Sequence, residues 1–208
     1  MLLHKEIQIL GVSGLAESGK TTAAVILSEL TGFERIALAD PLKRAASAMY
    51  DLDIHCFYKE TAPENLCRNK TVVEPFNLTV RQMMRDMGDA MKDKHGGDFW
   101  INLTRQLIQV AVAKDPTIRG FIIEDVRHGE NNPWGEAGNE QKAIHDWGGF
   151  VFHIQRPDLE RTELHNSHSS EDGITPIEND QVVVNNGSLE DLQKTLTDLT
   201  NSLGLTKL

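Results

Sequence analysis

The fold class predicted by this 208-residue sequence is α/β, a parallel doubly wound sheet with helices on both faces and two polar insertions. Three observations predict it. Apolar runs of strand length recur at residues 6–12, 34–39, 119–125, 149–155 and 181–184, with helical patterns between them. The run 119–125 carries Phe121, Ile122 and Ile123 at its centre, as a strand covered by helices on both faces requires. The first run leads into a glycine-rich turn and then a helix, the local unit that offers backbone donors to phosphate.

The elements follow in order. Residues 22–30 read as the first helix, with Ala23, Val25, Ile26, Leu27 and Leu30 available for packing. After the strand 34–39, Asp40 is placed to cap a second helix over residues 42–50, and Pro41 can stand in its first turn. Residues 51–77 are polar and irregular, broken by Pro63 and Pro75, and read as substrate-facing rather than core. Helix returns at 79–94, with Thr79 as N-cap and Val80, Met83, Met84, Met87 and Met91 as a packing face. Gly96 and Gly97 break the chain. Asp98 is expected to cap the next helix, over 99–113, with Trp100, Leu103, Leu107 and Val110 inward.

Residues 129–140 read as an exposed loop and 140–147 as a short helix. The polar stretch 158–176 follows the strand 149–155 and has little to bury. Asn185, Asn186 and Gly187 turn the chain after the last strand. Ser188 then caps a closing helix with Leu189, Leu192, Leu196 and Leu199 inward. The expected organisation is one domain over 1–208. Its core occupies about 1–50, 95–155 and 180–208, an acceptor-binding insertion about 51–94, and a lid about 156–178.

Composition narrows the function. The chain is 39% hydrophobic and 25% charged, the balance of a soluble globular protein. A net charge of −10 argues against a surface built to grip nucleic acid, though not against a local basic pocket. No apolar run has the length of a membrane span, and the first residues lack a signal-peptide layout, so a cytoplasmic location is expected. Cys56 and Cys67 suit two reduced thiols better than a disulfide framework or zinc site.

The chemistry concentrates in Gly14-Leu15-Ala16-Glu17-Ser18-Gly19-Lys20-Thr21, followed by Thr22. This is a complete phosphate-binding loop, and with its strand and helix it predicts the P-loop NTPase fold. The glycines permit a tight turn whose N–H groups point inward. Lys20 can reach the outer phosphates, and the Thr21 hydroxyl can ligate magnesium. Glu17 is unusual in placing an acid within the loop, and its side chain is expected to point outward. Asp125, at the end of a buried strand, is the expected second half of a metal site, with Glu124 as its alternate. Transfer between two anionic substrates also needs cations, and the arginines and lysines gather in the insertions and at helix ends.

Several short motifs occur in a fixed order along nearly the whole chain. They are Ala39-Asp40-Pro41-Leu42-Lys43, Thr79-Val80-Arg81-Gln82 with Gly88, Asp98-Phe99-Trp100, Asp125-Val126-Arg127, Ile154-Gln155-Arg156-Pro157, His168-Ser169-Ser170-Glu171 and Asn185-Asn186-Gly187-Ser188-Leu189. In these the sequence resembles the deoxynucleoside monophosphate kinases of tailed bacteriophages. The resemblance implies transfer of the γ-phosphoryl group of ATP to a deoxynucleoside 5′-monophosphate, with Mg2+ and without a covalent enzyme intermediate.

Carried to this chain, the resemblance gives Gly14 to Thr22 to ATP and Thr21 with Asp125 to the metal. Asp40, Lys43, Arg81, Arg85 and Arg127 would face the acceptor, while Lys20, Arg127, Arg156 and Arg161 would act on the transferring phosphates. Asn185, Asn186 and Gly187 would lie near the adenine. A homodimer in the cytoplasm, the host's if the chain is phage-encoded, is compatible with the family. The loop with Pro133, Trp134 and Gly135 is longer than the family pattern. Two other readings use the same loop: a kinase for another small phosphate acceptor or a modified base, and a nucleotide-dependent switch ATPase. The sequence leaves the acceptor's base and sugar open, because those choices reside in pocket shape.

Overall fold

A computed structural model describes residues 7–58, 71–157 and 174–207. The elements are β1 (Gln8–Ser13), α1 (Lys20–Thr31), β2 (Glu34–Ile36), α2 (Asp40–Tyr50), β3 (Val72–Val73), β4 (Leu78–Thr79), α3 (Val80–His95) and α4 (Phe99–Lys114). Then come β5 (Gly120–Val126), α5 (Glu140–Asp146), β6 (Phe150–Gln155), β7 (Gln181–Val184) and α6 (Leu189–Ser202). Single 3-10 turns occupy Ile54–Phe57 and Gly135–Gly138.

Five strands form one parallel sheet in the order β2-β5-β1-β6-β7, and β3 and β4 pair as a small antiparallel hairpin. β1 is central, with β5 on one side and β6 on the other. Connections from the two sides diverge there, so the crevice at the carboxyl ends of β1 and β5 is where such a sheet takes a ligand.

Strand alternation divides the core between the two faces. Leu10 and Val12 of β1, Ile122 of β5 and Phe152 and Ile154 of β6 pack with Leu27 of α1 and Leu192 and Leu196 of α6. Ile9, Phe121, Ile123 and Val151 face the other way, against Ile108 of α4 and Ile144 of α5. A separate cluster of Ala46, Cys56, Phe57 and Val80 holds the turn Ile54–Phe57 onto α2 and α3. Burial raises the Cys56 thiol above its ordinary range, with Asp53 adding to the shift. Among the described residues no helix is long and apolar enough to cross a membrane.

Several local expectations change. The second strand ends at Ile36, because the amides of Ala37, Leu38 and Ala39 turn away to side-chain acceptors. Asp40 is the first residue of α2, whose N-cap is Ala39; its carboxylate accepts from the Ala37 amide and ties down the turn before the helix. Asp98 holds the N-cap position of α4, as expected, but its side chain makes no capping bond to the backbone; its carboxylate accepts from the Asn102 side chain instead.

The buried face of α4 is Trp100, Ile101, Thr104 and Ile108, a rotation that leaves Val110 exposed. Leu189, at the start of α6, is also exposed. Thr79 and Ser188 do cap their helices, each in a reciprocal capping box. The loop 129–140 is exposed only in part, since Gly138, Asn139 and Glu140 are buried. Arg161, Cys67, the His168-Ser169-Ser170-Glu171 motif and most of the expected lid lie outside the described residues.

Candidate active site

The glycine-rich loop leaves β1 and enters α1 at the sheet's central crevice. Two of its glycines are needed for their shape. Gly14 has φ 145° and a Cβ there would stand 2.3 Å from the Ile154 carbonyl oxygen. Gly19 has φ 99°, in the left-handed region, and a Cβ would meet the Asn185 side chain at 2.5 Å. Glu17 also has positive φ, at 64°, and is exposed, so its carboxylate faces solvent as expected.

The Lys20 ammonium donates to the carbonyls of Gly14 (2.7 Å) and Leu15 (2.6 Å), which holds its charge against the loop. Thr21 and Thr22 are exposed on the first turn of α1, where free amides and the helix dipole favour an anion. The Ser18 hydroxyl is buried with no hydrogen-bond partner among the described residues, an orphaned polar atom inside the cradle. Asn185, beyond β7, donates from its side chain to the Ser18 carbonyl at 2.8 Å, so this turn braces the loop directly. Asn186 and Gly187 are exposed beside it.

Asp125 stands at the end of β5, whose register with β1 brings Val126 opposite Ser13 just before the loop. Its two oxygens accept the amides of Leu38 (2.7 Å) and Ala39 (3.1 Å). Burial pushes the carboxyl up to about 6; Glu140 adds to the rise, while Arg127, the Leu38 amide and Lys43 oppose it. The Arg127 guanidinium and the Lys43 ammonium therefore both act on this carboxylate. Glu124 points elsewhere and accepts from Arg35 Nε at 2.8 Å.

Asp125 and Thr21 are hard oxygen donors, the kind magnesium prefers, and magnesium keeps most of its shell for water and phosphate. Each Asp125 oxygen uses one acceptor site on an amide and retains another. The residues fit that ion. No group of three or more His, Cys, Asp or Glu among the described residues is arranged to hold a metal alone.

On the other side of Asp125, the Asp40 carboxylate accepts from Lys43 Nζ (3.1 Å) and from the Tyr58 hydroxyl (3.0 Å). Lys43 Nζ also lies 4.0 Å from the Tyr58 ring centre, a cation–π contact. Burial, the Asp40 charge and the hydrogen bond to Asp40 push the Tyr58 phenol up to about 12, so it remains a donor. Tyr58 thus joins the Asp40–Lys43 pair, a contact that no local pattern in residues 51–77 announces.

The remaining cations are more dispersed. Arg81 is half-buried on the first turn of α3, whereas Arg85 is exposed and donates to Asp86 from Nε and Nη2, both at 3.2 Å. Arg156 is exposed just past β6.

A second group lies behind Arg127. Glu140 is buried and accepts the Arg127 amide at 2.7 Å, and its other oxygen meets His128 Nδ1 at 2.9 Å. Lys92 Nζ approaches the same oxygen at 3.9 Å. Burial alone would raise the Glu140 carboxyl, but His128, Lys92 and the Arg127 amide hold it below its ordinary range. Burial lowers the Lys92 ammonium against the pull of Glu140, Asp89 and Asp125. None of these three was singled out in the sequence, where Glu140 reads as an ordinary helix start.

A family model described as deoxynucleotide monophosphate kinase matches residues 55–196. A protein of Acanthamoeba polyphaga mimivirus, provisionally named a deoxynucleotide monophosphate kinase, is 28% identical over 189 residues, covering 88% of this chain and 91% of that protein. Among solved structures, TT1252 from Thermus thermophilus superposes with TM-score 0.50 at 19% identity, covering 96% of this chain and 99% of that one. A dephospho-CoA kinase from Campylobacter jejuni gives TM-score 0.46 at 16% identity, covering 95% and 98%. At 19% identity the likeness to TT1252 speaks for the fold alone. The matched region begins after the glycine-rich loop, so the loop is an observation independent of the family match.

Proposed function

We propose, on the premise that this chain belongs to the deoxynucleotide monophosphate kinase family, that it transfers the γ-phosphoryl group of ATP to a deoxynucleoside 5′-monophosphate. The protein is a nucleotide kinase; the donor, the acceptor and the metal are the proposal. The observation that carries it is the meeting of two different anion-binding arrangements around Asp125. The loop Gly14 to Thr21 lies on the β1 side, and Lys43, Tyr58, Asp40 and Arg127 lie on the α2 and β5 side.

In this reading the loop amides hold the β- and γ-phosphates, and Lys20 exchanges its two carbonyl partners for phosphate oxygens. Thr21 and Asp125 would hold Mg2+, which supplies charge neutralisation on the donor phosphates when bound. Arg127, Lys43 and Arg81 draw in the acceptor's phosphate, and Asp40 with Tyr58 turns polar groups toward its nucleoside. An oxygen of the acceptor phosphate attacks the γ-phosphorus while the bond to the β-phosphate oxygen breaks. ADP leaves and a nucleoside diphosphate remains. That oxygen is already ionised, so no general base is required. Arg156 spreads positive charge over the moving phosphoryl group, and the Asn185–Gly187 turn borders the adenine end of the donor.

The test is ADP release from ATP across a panel of ribo- and deoxynucleoside monophosphates, including modified pyrimidines. The reading expects negligible release without acceptor and turnover with one or more deoxynucleotides. ATP hydrolysis indifferent to the panel would replace it with a switch ATPase.

A further inference from the structure

We propose that Glu140 is a positioning residue for Arg127: it locks the exit of β5 against α3 and so sets where the Arg127 side chain meets the acceptor. The inference rests on the reading of Arg127 as an acceptor-side cation.

The contacts run in both directions. Glu140 Oε2 accepts the amides of Arg127 (2.7 Å) and His128 (3.2 Å), and Oε1 meets His128 Nδ1 (2.9 Å). In return, the amides of Glu140 (2.9 Å) and Gln141 (3.2 Å) donate to the His128 carbonyl. The peptide units on both sides of Arg127–His128 are therefore clamped to the start of α5.

The same carboxylate reaches a third element. Lys92 of α3 lies 3.9 Å from Oε1, and its ammonium stands 4.1 Å from the centre of the Trp134 ring. Trp134 Nε1 donates to Asp93, also of α3, at 3.0 Å. The longer 129–140 loop thus spans from the end of β5 to α3, the helix that bears Arg81. Trp134 also packs edge-on against His128.

Holding an ionised carboxylate and an ammonium out of water costs free energy that their attraction only partly returns, and an apolar pair of similar volume would serve stability as well. What the charged arrangement adds is direction. Carboxylate oxygens accept from a few defined donors, so a shift of α3 or of the β5 exit breaks a named bond rather than sliding along an apolar face. The cations of α3 and β5 then keep one spacing, which matters because a misplacement of about 1 Å can cost on the order of a hundredfold in rate.

Glu140→Gln keeps one acceptor for the Arg127 amide but removes the charge that anchors Lys92. The expected result is a rise of about tenfold in the KM for the monophosphate, with the KM for ATP within about twofold of the parent. In an Arg127→Ala background the same change should add almost nothing to the monophosphate KM, because the residue it positions is gone. Equal effects on both substrates, or an effect that persists unchanged beside Arg127→Ala, would overturn the proposal.

Arg127→Ala alone separates premise from inference. If it leaves the monophosphate KM unchanged, the acceptor assignment of Arg127 fails, and the positioning proposal fails with it. If it raises that KM while Glu140→Gln does not, only the positioning proposal fails. Should Glu140→Gln not fold, Trp134→Phe removes the bond to Asp93 from a partly exposed residue and should raise the monophosphate KM severalfold. No change there would refute the link to α3.

Discussion

Asp125→Asn sets the cost of a buried charge against its use. Burial holds the Asp125 carboxyl at about 6, against an ordinary value of 3.8. For an acid whose folded value is raised, the native state binds the proton first as pH falls. The resulting stabilisation is complete below the unfolded value and is lost as pH rises through about 6. Between about pH 4.5 and about pH 7.5 the loss amounts to about 2 kcal/mol.

Asparagine resembles the protonated acid in shape and, like it, carries no charge. Its NH2 group must face one of the two amides, Leu38 at 2.7 Å or Ala39 at 3.1 Å, and because asparagine does not titrate that cost is the same at acid and at neutral pH. Thermal melts followed by circular dichroism at the two pH values are the assay. Relative to the parent, Asp125→Asn should gain about 2 kcal/mol on going from acid to neutral pH. That is about 4–8 °C in Tm for a chain of this length. Turnover should fall by on the order of a hundredfold at neutral pH if, as proposed, this carboxylate orients the metal. A stability difference independent of pH would show that the carboxyl titrates normally. Parental turnover would remove Asp125 from the metal site.

Two further substitutions test the donor side and the frame. Lys20→Ala removes an ammonium that donates to two loop carbonyls, not a core side chain, so Tm should change by no more than a few degrees while turnover falls by at least about a hundredfold. Retained turnover would refute the loop's role in transfer. Asp180→Asn acts on a buried carboxylate that bonds His145 and His153 (both 2.8 Å), Gln141 (2.7 Å), and the amides of Val151 (2.9 Å) and Ile177 (3.1 Å). Burial would raise that carboxyl, but His153, the Ile177 and Val151 amides and Gln141 hold it below its ordinary range. Its contribution is therefore present above an unfolded value near 3.8 and is lost as pH falls through the lower folded one. The amide cannot accept on both sides, so a loss of about 3 kcal/mol is expected by urea unfolding at neutral pH, shrinking in acid. A loss below about 1 kcal/mol would mean that the network rearranges freely.

The strands and the helices carrying both capping boxes could be read from the sequence because their signals are local. Alternation, apolar runs and a Thr or Ser followed three residues later by Gln or Asp need no partner elsewhere in the chain. The glycine-rich loop is legible for the same reason: its spacing is set by the turn it must make. The misread face of α4 shows the limit. Leu103, Leu107 and Val110 fit a helical stripe as well as Ile101, Thr104 and Ile108 do, and only packing beneath β5 and α5 selects between them.

By itself, the sequence determined an α/β chain with a phosphate loop, an acid at the end of a buried strand, and polar insertions bearing cations. Each follows from residues adjacent in the chain. The tertiary structure decided which polar groups meet: Asn185 on the Ser18 carbonyl, Tyr58 on Asp40, and Lys92 and Glu140 behind Arg127. Those pairs are separated by as many as 167 positions in sequence. Their value comes from burial and direction, which no local pattern encodes. A buried carboxylate becomes a hinge-pin or a titrating acid according to the partners that the fold aims at it: Glu140 meets His128 and Lys92, whereas burial prevails at Asp125.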